Sequence, residues 1–392
     1  MSSKKKSRPQ KKTGNTRTTA PISSAPAFVA KPGTLKQSSF RLTPSPLLHE
    51  WLLNTKSTIM ITTYQSGQVL ILGLNENGSL AYTSRTFEHA MGIACAANSL
   101  HLSTLYQIWH FENILPKGEL QGNYDALFTP RTSHILGHMA LHDLAIEDSG
   151  RLVFVNTKYN CLGELADGFS FRPIWKPDWI SEISAGDRCH LNGLALRDGV
   201  VRYVTSVSRS NERDGWRKNR NGSGVIWDVT ENRLVTEGLA MPHSPRWHHG
   251  KLYFINSGSG YLCSANPETG DVTEIGFVPG FARGLALQEN HALIGTSQQR
   301  ANRTFSDLPL ENTLKFIGIE GVCALHLVNL ETGVIDHWMR IEGDIQELYD
   351  VCVIPNFRFA NVIGFMNDDV KNLINIPKGE LMTEGRLDVN SL

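Results

Sequence analysis

The stretch TIMITTYQSGQVLILGL (58–74) reads as an apolar strand, a polar turn and a second apolar strand. Its pattern recurs in LVFVNTKYNCLGEL (152–165), an apolar run, two amide or hydroxyl residues, a short turn and another apolar run. In the second case a strand start, HDLAIE from His142, precedes the match. Nothing comparable precedes residue 58, so residues 58–87 supply second, third and fourth strands without a first. The missing piece stands at the other end of the chain, where YDVCVI (349–354) begins a repeat with no good second strand behind it.

Between those ends the same start recurs as MGIACA from Met91, HDLAIE from His142, NGLALR from Asn192, SPRWHH from Ser244 and RGLALQ from Arg283. The spacings, 51, 50, 52, 39 and 66 residues counting on to Tyr349, suit four-stranded propeller blades. Each start leads to a second strand ending in small polar residues, as in LVFVNT, RYVTS and LYFINS. PETGD and LETG punctuate later hairpins. The reading is all-β: a six-bladed β-propeller closed by pairing the C-terminal inner strand with N-terminal outer strands, which removes exposed sheet edges. A β-sandwich with a helical domain would need a long amphipathic helix, and none stands out between 58 and 365; only 308–318 and 177–184 read as short helices.

Composition agrees with a globular chain: 392 residues, 41% apolar, 38 basic against 38 acidic. The balance hides an asymmetry, because residues 1–49 carry ten Lys or Arg and no acid. Residues 1–40, rich in Lys, Ser, Thr, Pro and Ala, are expected to be a disordered basic tail able to contact nucleic acid or an anionic surface, the alternative being a solvated solubility tail. The propeller is expected over 45–365, with a C-terminal extension over 366–392. No apolar run is long enough for a transmembrane helix, and the basic start lacks the apolar stretch of a secretory signal. The six cysteines show no C-x-x-C pair and sit in apolar runs, so they are expected to be buried thiols in the cytoplasm.

In a propeller, inner-strand entries and the turns between second and third strands share one mouth of the central channel. His142, His190 and His243 come from three successive blades there, and are the candidate catalytic residues and candidate ligands of one divalent metal ion. Imidazole also suits acid–base work without a metal. The alternative for each is a hydrogen bond to a neighbouring blade. Asn192, Asn156, Thr157, Asn256, Ser257 and Tyr349 are expected to orient a small polar ligand, with Arg246 and Arg283 holding its anionic group. Asp143 and Asp350, at equivalent positions, read as strand-entry carboxylates bonding backbone N–H groups. The polar loop 210–224 is a candidate lid, with Trp216 as a stacking surface.

HDLAIEDSGRLVFVNTKYNCL, DRCHLNGLAL, GLAMPHSPRWHHGKLYFINSGSGYL, PGFARGLAL and ELYDVCVIP together resemble an uncharacterised bacterial family of conserved hypothetical proteins, a domain of unknown function, over roughly 45–365. NGLAL at Asn192 is more distantly similar to the strand entry of gluconolactonase and regucalcin-like six-bladed propellers, which hold a divalent cation with Glu, Asn and Asp. His142 and Ser244 stand here where carboxylates or amides are wanted, so lactone hydrolysis does not transfer. Propeller metal lyases with several His ligands are an analogy of equal standing. Two functions follow as expectations: a metal-dependent hydrolase or lyase acting on a small anionic substrate at the channel mouth, or a non-catalytic scaffold for a peptide, glycan or protein. Oligomeric state is not encoded in any of these features.

Overall fold

Residues 58–62 and 68–74 are buried on both faces, which is why their sequence shows no polar alternation. Ile59 and Ile61 pack to one side with Leu293, Leu325 and Leu327, whereas Met60 and Ile71 pack to the other with Leu100, Leu102 and Phe111. A sheet covered on both faces by other sheets is a propeller blade, and six such sheets form the ring. The structure is a computed structural model that describes residues 39–96, 98–298, 307–366 and 368–376.

Blade 1 is the closing blade. Its inner strand Asp350–Pro355 pairs antiparallel with Ser57–Thr62, followed by Gln68–Leu74 and Leu80–Thr86. The register runs from Ser57 opposite Pro355 to Thr62 opposite Asp350, so the two ends of the chain meet as the sequence requires. Inner strands of blades 2 to 6 are Ile93–Ala96, Leu141–Ile146, Leu191–Arg197, Pro242–His248 and Phe281–Gln288. Two outer edges carry an added strand: Phe40–Pro44 on Ile335–Gly343 of blade 6, and Ala360–Val362, parallel, on Ala126–Ile135 of blade 2. The first lies partly within the segment expected to be a tail. Residues 1–38 and 377–392, and with them most of that tail and of the C-terminal extension, lie outside the described residues.

Helices are few. α1, Leu48–Thr55, buries Leu48, Trp51, Leu52 and Thr55, the 3.6-residue spacing of one face, against blades 6 and 1. α2, Pro309–Ile317, matches the helix expected over 308–318, and α3, Asp369–Asn372, is a single turn. The helix expected over 177–184 is absent. Arg188 fixes that segment as a loop, through Ser181, Glu182 and Ser184, and ties it to Asn211. Cysteine usage also departs from expectation. Cys95 and Cys352, on neighbouring inner strands of blades 2 and 1, form a disulfide, while Cys161, Cys189, Cys263 and Cys323 are free and buried. The cysteines therefore no longer argue for a reducing compartment.

Below the mouth, one guanidinium ties the whole ring. Arg246 of blade 5 donates through Nη1 and Nη2 to both oxygens of Asp143 of blade 3 (2.8 and 3.1 Å) and through Nε to Leu285 O of blade 6. Asp143 also accepts from Leu194 N of blade 4. Asp350 of blade 1 lies 3.8 Å from the same guanidinium and accepts from Ile93 N of blade 2. All six inner strands thus meet in one network, and the strand-entry reading of the two aspartates holds. Such contact needs inner strands that approach closely. A Cβ on Gly284 (φ +71°) would stand 2.6 Å from Asp350 Cα, and one on Gly193 would stand 2.9 Å from Ser244 N, which is the reason for glycine in RGLAL and NGLAL.

Among the described residues no helix is long and apolar enough to cross a membrane.

Candidate active site at the channel mouth

The hydroxyls that end the second strands are mostly latches. Thr62, Thr157 and Ser257 donate to the carbonyls of Met91, Leu191 and Ala282 in the following blade at 2.5, 2.6 and 2.7 Å. Ser297 closes blade 6 on Leu348 in the same way. Asn156 and Asn256 shape their own turns, accepting from Tyr159 N and Ala240 N. The expected ligand-orienting groups Asn156, Thr157, Asn256 and Ser257 therefore sit at the mouth with their polar atoms engaged within the fold.

Two of these latches do a second job. A hydroxyl whose proton goes to a carbonyl still offers lone pairs, and the Thr157 and Ser257 oxygens lie 2.8 and 2.9 Å from Nδ1 of His142 and His243. The same nitrogens lie 2.9 Å from the carbonyls of Ala140 and Met241, two residues upstream. Ala140 and Met241 hold φ of 53° and 51°, which turns those carbonyls back toward the rings. A carbonyl can only accept, so Nδ1 carries the proton in both rings and Nε2 keeps its lone pair. Burial, with His190 and Arg283 nearby, pulls the His142 pKa down to about 3. Burial and Arg283 push that of His243 well below the ordinary value, so both rings are neutral.

His190, in the blade between them, is wired differently. Its Nδ1 lies 3.0 Å from both oxygens of Asp187, and Asp187 Oδ2 also accepts from Trp216 Nε1 at 2.9 Å. Burial opposes ionisation of Asp187, but His190 and the Trp216 bond outweigh it and hold the carboxyl below its usual range. Trp216 stacks on His190 with centroids 4.1 Å apart. The 210–224 loop thus contributes a stacking surface, although to a protein side chain. His190 meets His142 edge to face at 4.8 Å, and His142 lies 5.5 Å from the Tyr349 ring.

Arg283 stacks across Tyr349 at 5.2 Å and donates to Glu347 at 2.9 Å. Burial drives the Tyr349 pKa well above 10, against the pull of Arg283, so the phenol stays protonated. Tyr64 packs between Tyr349 and His89. Asn192 accepts from Thr205 through Oδ1. Arg246 lies deeper, in the ring network, rather than beside Arg283.

Among the described residues no group of three or more His, Cys, Asp or Glu is placed to hold a metal ion. His190 faces Asp187 and Trp216, and His142 and His243 are each fixed through Nδ1 in a separate latch. Tyr64 belongs to the polar turn set that sequence places at the mouth, but Asp187 and Glu347 are not among the sequence candidates. The usable signal for Asp187 is its position three residues before His190 in GDRCH; Glu347 carries none.

A family model described as "Domain of unknown function (DUF4915)" matches residues 46–363. No curated protein matches. Solved structures to which the chain shows a distant similarity include a chain of a nidogen/laminin complex (11% identity, covering 76% of this chain and 99% of that one, TM-score 0.49). Others are virginiamycin B lyase from Staphylococcus aureus (13% identity, 65% and 96%, TM-score 0.38) and its catalytically inactive variant with quinupristin (14%, 77% and 99%, TM-score 0.36). These likenesses are too distant to bear on activity.

Proposed function

The chain belongs to the DUF4915 family of six-bladed propellers, whose description assigns no activity, and we propose from its own residues that it is a hydrolase or lyase acting on a small anionic substrate at the channel mouth. The observation that carries this reading is the wiring of three imidazoles from successive blades, each fixed through Nδ1 and each left with Nε2 uncommitted.

Of the three, His190 is the proton carrier. Asp187, 3.0 Å from its Nδ1 through both oxygens, fixes its tautomer and orientation, the arrangement that suits a general acid or base. His142 and His243 are poor proton acceptors, since burial first and the nearby Arg283 charge after it disfavour charging either; their neutral Nε2 atoms hold substrate hydrogen-bond donors. Arg283 attracts the anionic group, and an anion there weakens the field that depresses both histidines. Tyr349, kept neutral, donates to charge that develops on oxygen.

The test is a screen of lactones, carboxylated sugars and peptides with wild-type protein and His190→Gln, with circular dichroism confirming that both are folded. One class should be turned over, with the variant slower by about 10²–10⁴-fold, the usual worth of general acid–base catalysis. No turnover, or equal turnover by the variant, would remove the acid–base assignment.

A further inference from the structure

Three buried polar atoms at the mouth have no hydrogen-bond partner: His243 Nε2, Tyr349 Oη and Asn192 Nδ2. Their residues are 3%, 6% and 3% exposed, so bulk water does not serve them. Leaving such atoms unpaired costs about 1–3 kcal/mol each, and groups of them in one place mark where a ligand completes the bonding. Their chemistry is not interchangeable. With its Nδ1 proton committed to Met241 O, His243 Nε2 can only accept. With its Oδ1 engaged by Thr205, Asn192 has only N–H to offer. The Tyr349 hydroxyl can donate.

The group that completes this set must carry both a donor and an acceptor. Tyr349 and Asn192 each offer a donor, and the two oxygens of one carboxylate can take both, whereas a single hydroxyl cannot fill both places as well. We infer that the ligand is a small hydroxy-carboxylate, a sugar acid or similar compound, whose hydroxyl donates to His243 Nε2 while its carboxylate accepts from Tyr349 and Asn192. A simple fatty acid has no donor for His243. A neutral polyol has donors but no carboxylate to accept from Tyr349 and Asn192 together. The inference rests on the channel-mouth reading above and narrows its substrate class.

Three probes separate these cases by isothermal titration calorimetry: gluconate, which has both groups; sorbitol, which lacks the carboxylate; and hexanoate, which lacks the hydroxyls. Gluconate should bind at least about ten-fold more tightly than either, a difference of about 1.4 kcal/mol. In histidine-labelled wild-type protein the ¹⁵N resonance of His243 Nε2 should move on adding gluconate and stay still with hexanoate. That measurement needs no variant. His243→Phe, provided it folds, should erase the advantage of gluconate over hexanoate. Equal binding of hexanoate or sorbitol, a silent His243 resonance, or no binding of any probe would overturn the inference. Failure of the acid–base reading looks different: gluconate bound as described with no substrate turned over and His190→Gln without effect leaves the ligand class standing. Turnover of a substrate without a hydroxyl keeps the acid–base reading and sinks the ligand class.

Discussion

Replacing Arg246 by Met keeps the bulk of the side chain and removes the charge that Asp143 and Asp350 face. Two carboxylates, each about 2% exposed, would then confront each other in the channel with only backbone N–H donors for company. Breaking a buried ion pair from one side costs about 3–5 kcal/mol, because an uncompensated charge is left behind. The loss should depend on pH in a predictable direction. Burial and the nearby Asp143 already raise the Asp350 pKa from 3.8 to about 7 with Arg246 present, and without the guanidinium it rises further. A raised carboxyl pKa contributes stability that is complete at low pH and is lost as pH rises through the folded-state value. Between pH 8 and pH 6 the variant should therefore recover about 1 kcal/mol relative to wild type, close to one proton over one pH unit. Histidine contributions common to both proteins cancel in that difference. The assay is urea denaturation of both proteins at pH 6, 7 and 8. A loss under about 1 kcal/mol, or a loss independent of pH, would refute the view that Arg246 holds the ring together by neutralising two blades at once. Arg246→Met combined with Asp143→Asn and Asp350→Asn should regain much of the loss, since no buried charge then remains.

Gly284→Ala places a methyl group 2.6 Å from Asp350 Cα at a φ of +71°, so it should cost more than about 2 kcal/mol in denaturation. Gly92→Ala, whose Cβ has nothing nearer than 3.3 Å, should cost clearly less in the same assay. Acidification should destabilise the protein. Burial depresses the pKa of His142 to about 3 and of His101 and His326 to about 4, so their contribution is present above pH 6.5 and is lost as pH falls toward 4. Urea midpoints from pH 7.5 to 4.5 should fall below pH 6.5; a rise would show that Asp350, which runs the opposite way, dominates. Trp216→Phe removes the Nε1 bond to Asp187 and should cost about 1 kcal/mol. The loss should show in urea denaturation at pH 7 and leave the all-β circular dichroism unchanged. No loss would show that Trp216 only stacks.

The fold was legible because closure leaves a mark that no open sheet would. The unpaired strand start at Tyr349 and the unheaded strands from residue 58 meet register by register. The repeated glycines were legible as starts, though their reason, backbone contact between inner strands, appears only in three dimensions. The site was harder to read. Inner-strand entries and turn ends were located correctly at one mouth, but sequence position does not reveal whether a hydroxyl is spent on a carbonyl in the next blade. Thr157 and Ser257 look like ligand-binding groups until their protons are traced to Leu191 and Ala282. Arg246 and Arg283 look equivalent from sequence, each near a strand entry. The bulge in blade 5, where register shifts between His243 and Arg246, helps to send Arg246 down to Asp143. Asp187 was passed over because its effect is made by a positive φ and by a tryptophan 29 residues away.

Polarity around this channel therefore has two physical meanings at two depths. In the ring network the polar groups answer one another, and Arg246, Asp143 and Asp350 find their partners across all six blades. A network so satisfied fixes geometry and offers little to a ligand. One level above, latch hydroxyls and upstream carbonyls engage only Nδ1 of His142 and His243, and Asp187 only Nδ1 of His190. The fold thereby builds rigid rings whose second nitrogen is left unanswered, at a cost that packing around the channel must offset. Stability alone would favour a donor opposite His243 Nε2, and Tyr349 or Asn192 could have been placed to supply it. That three such atoms remain unpaired at the mouth, above a network whose polar groups are hydrogen-bonded, is what separates the proposed binding site from the staple that supports it.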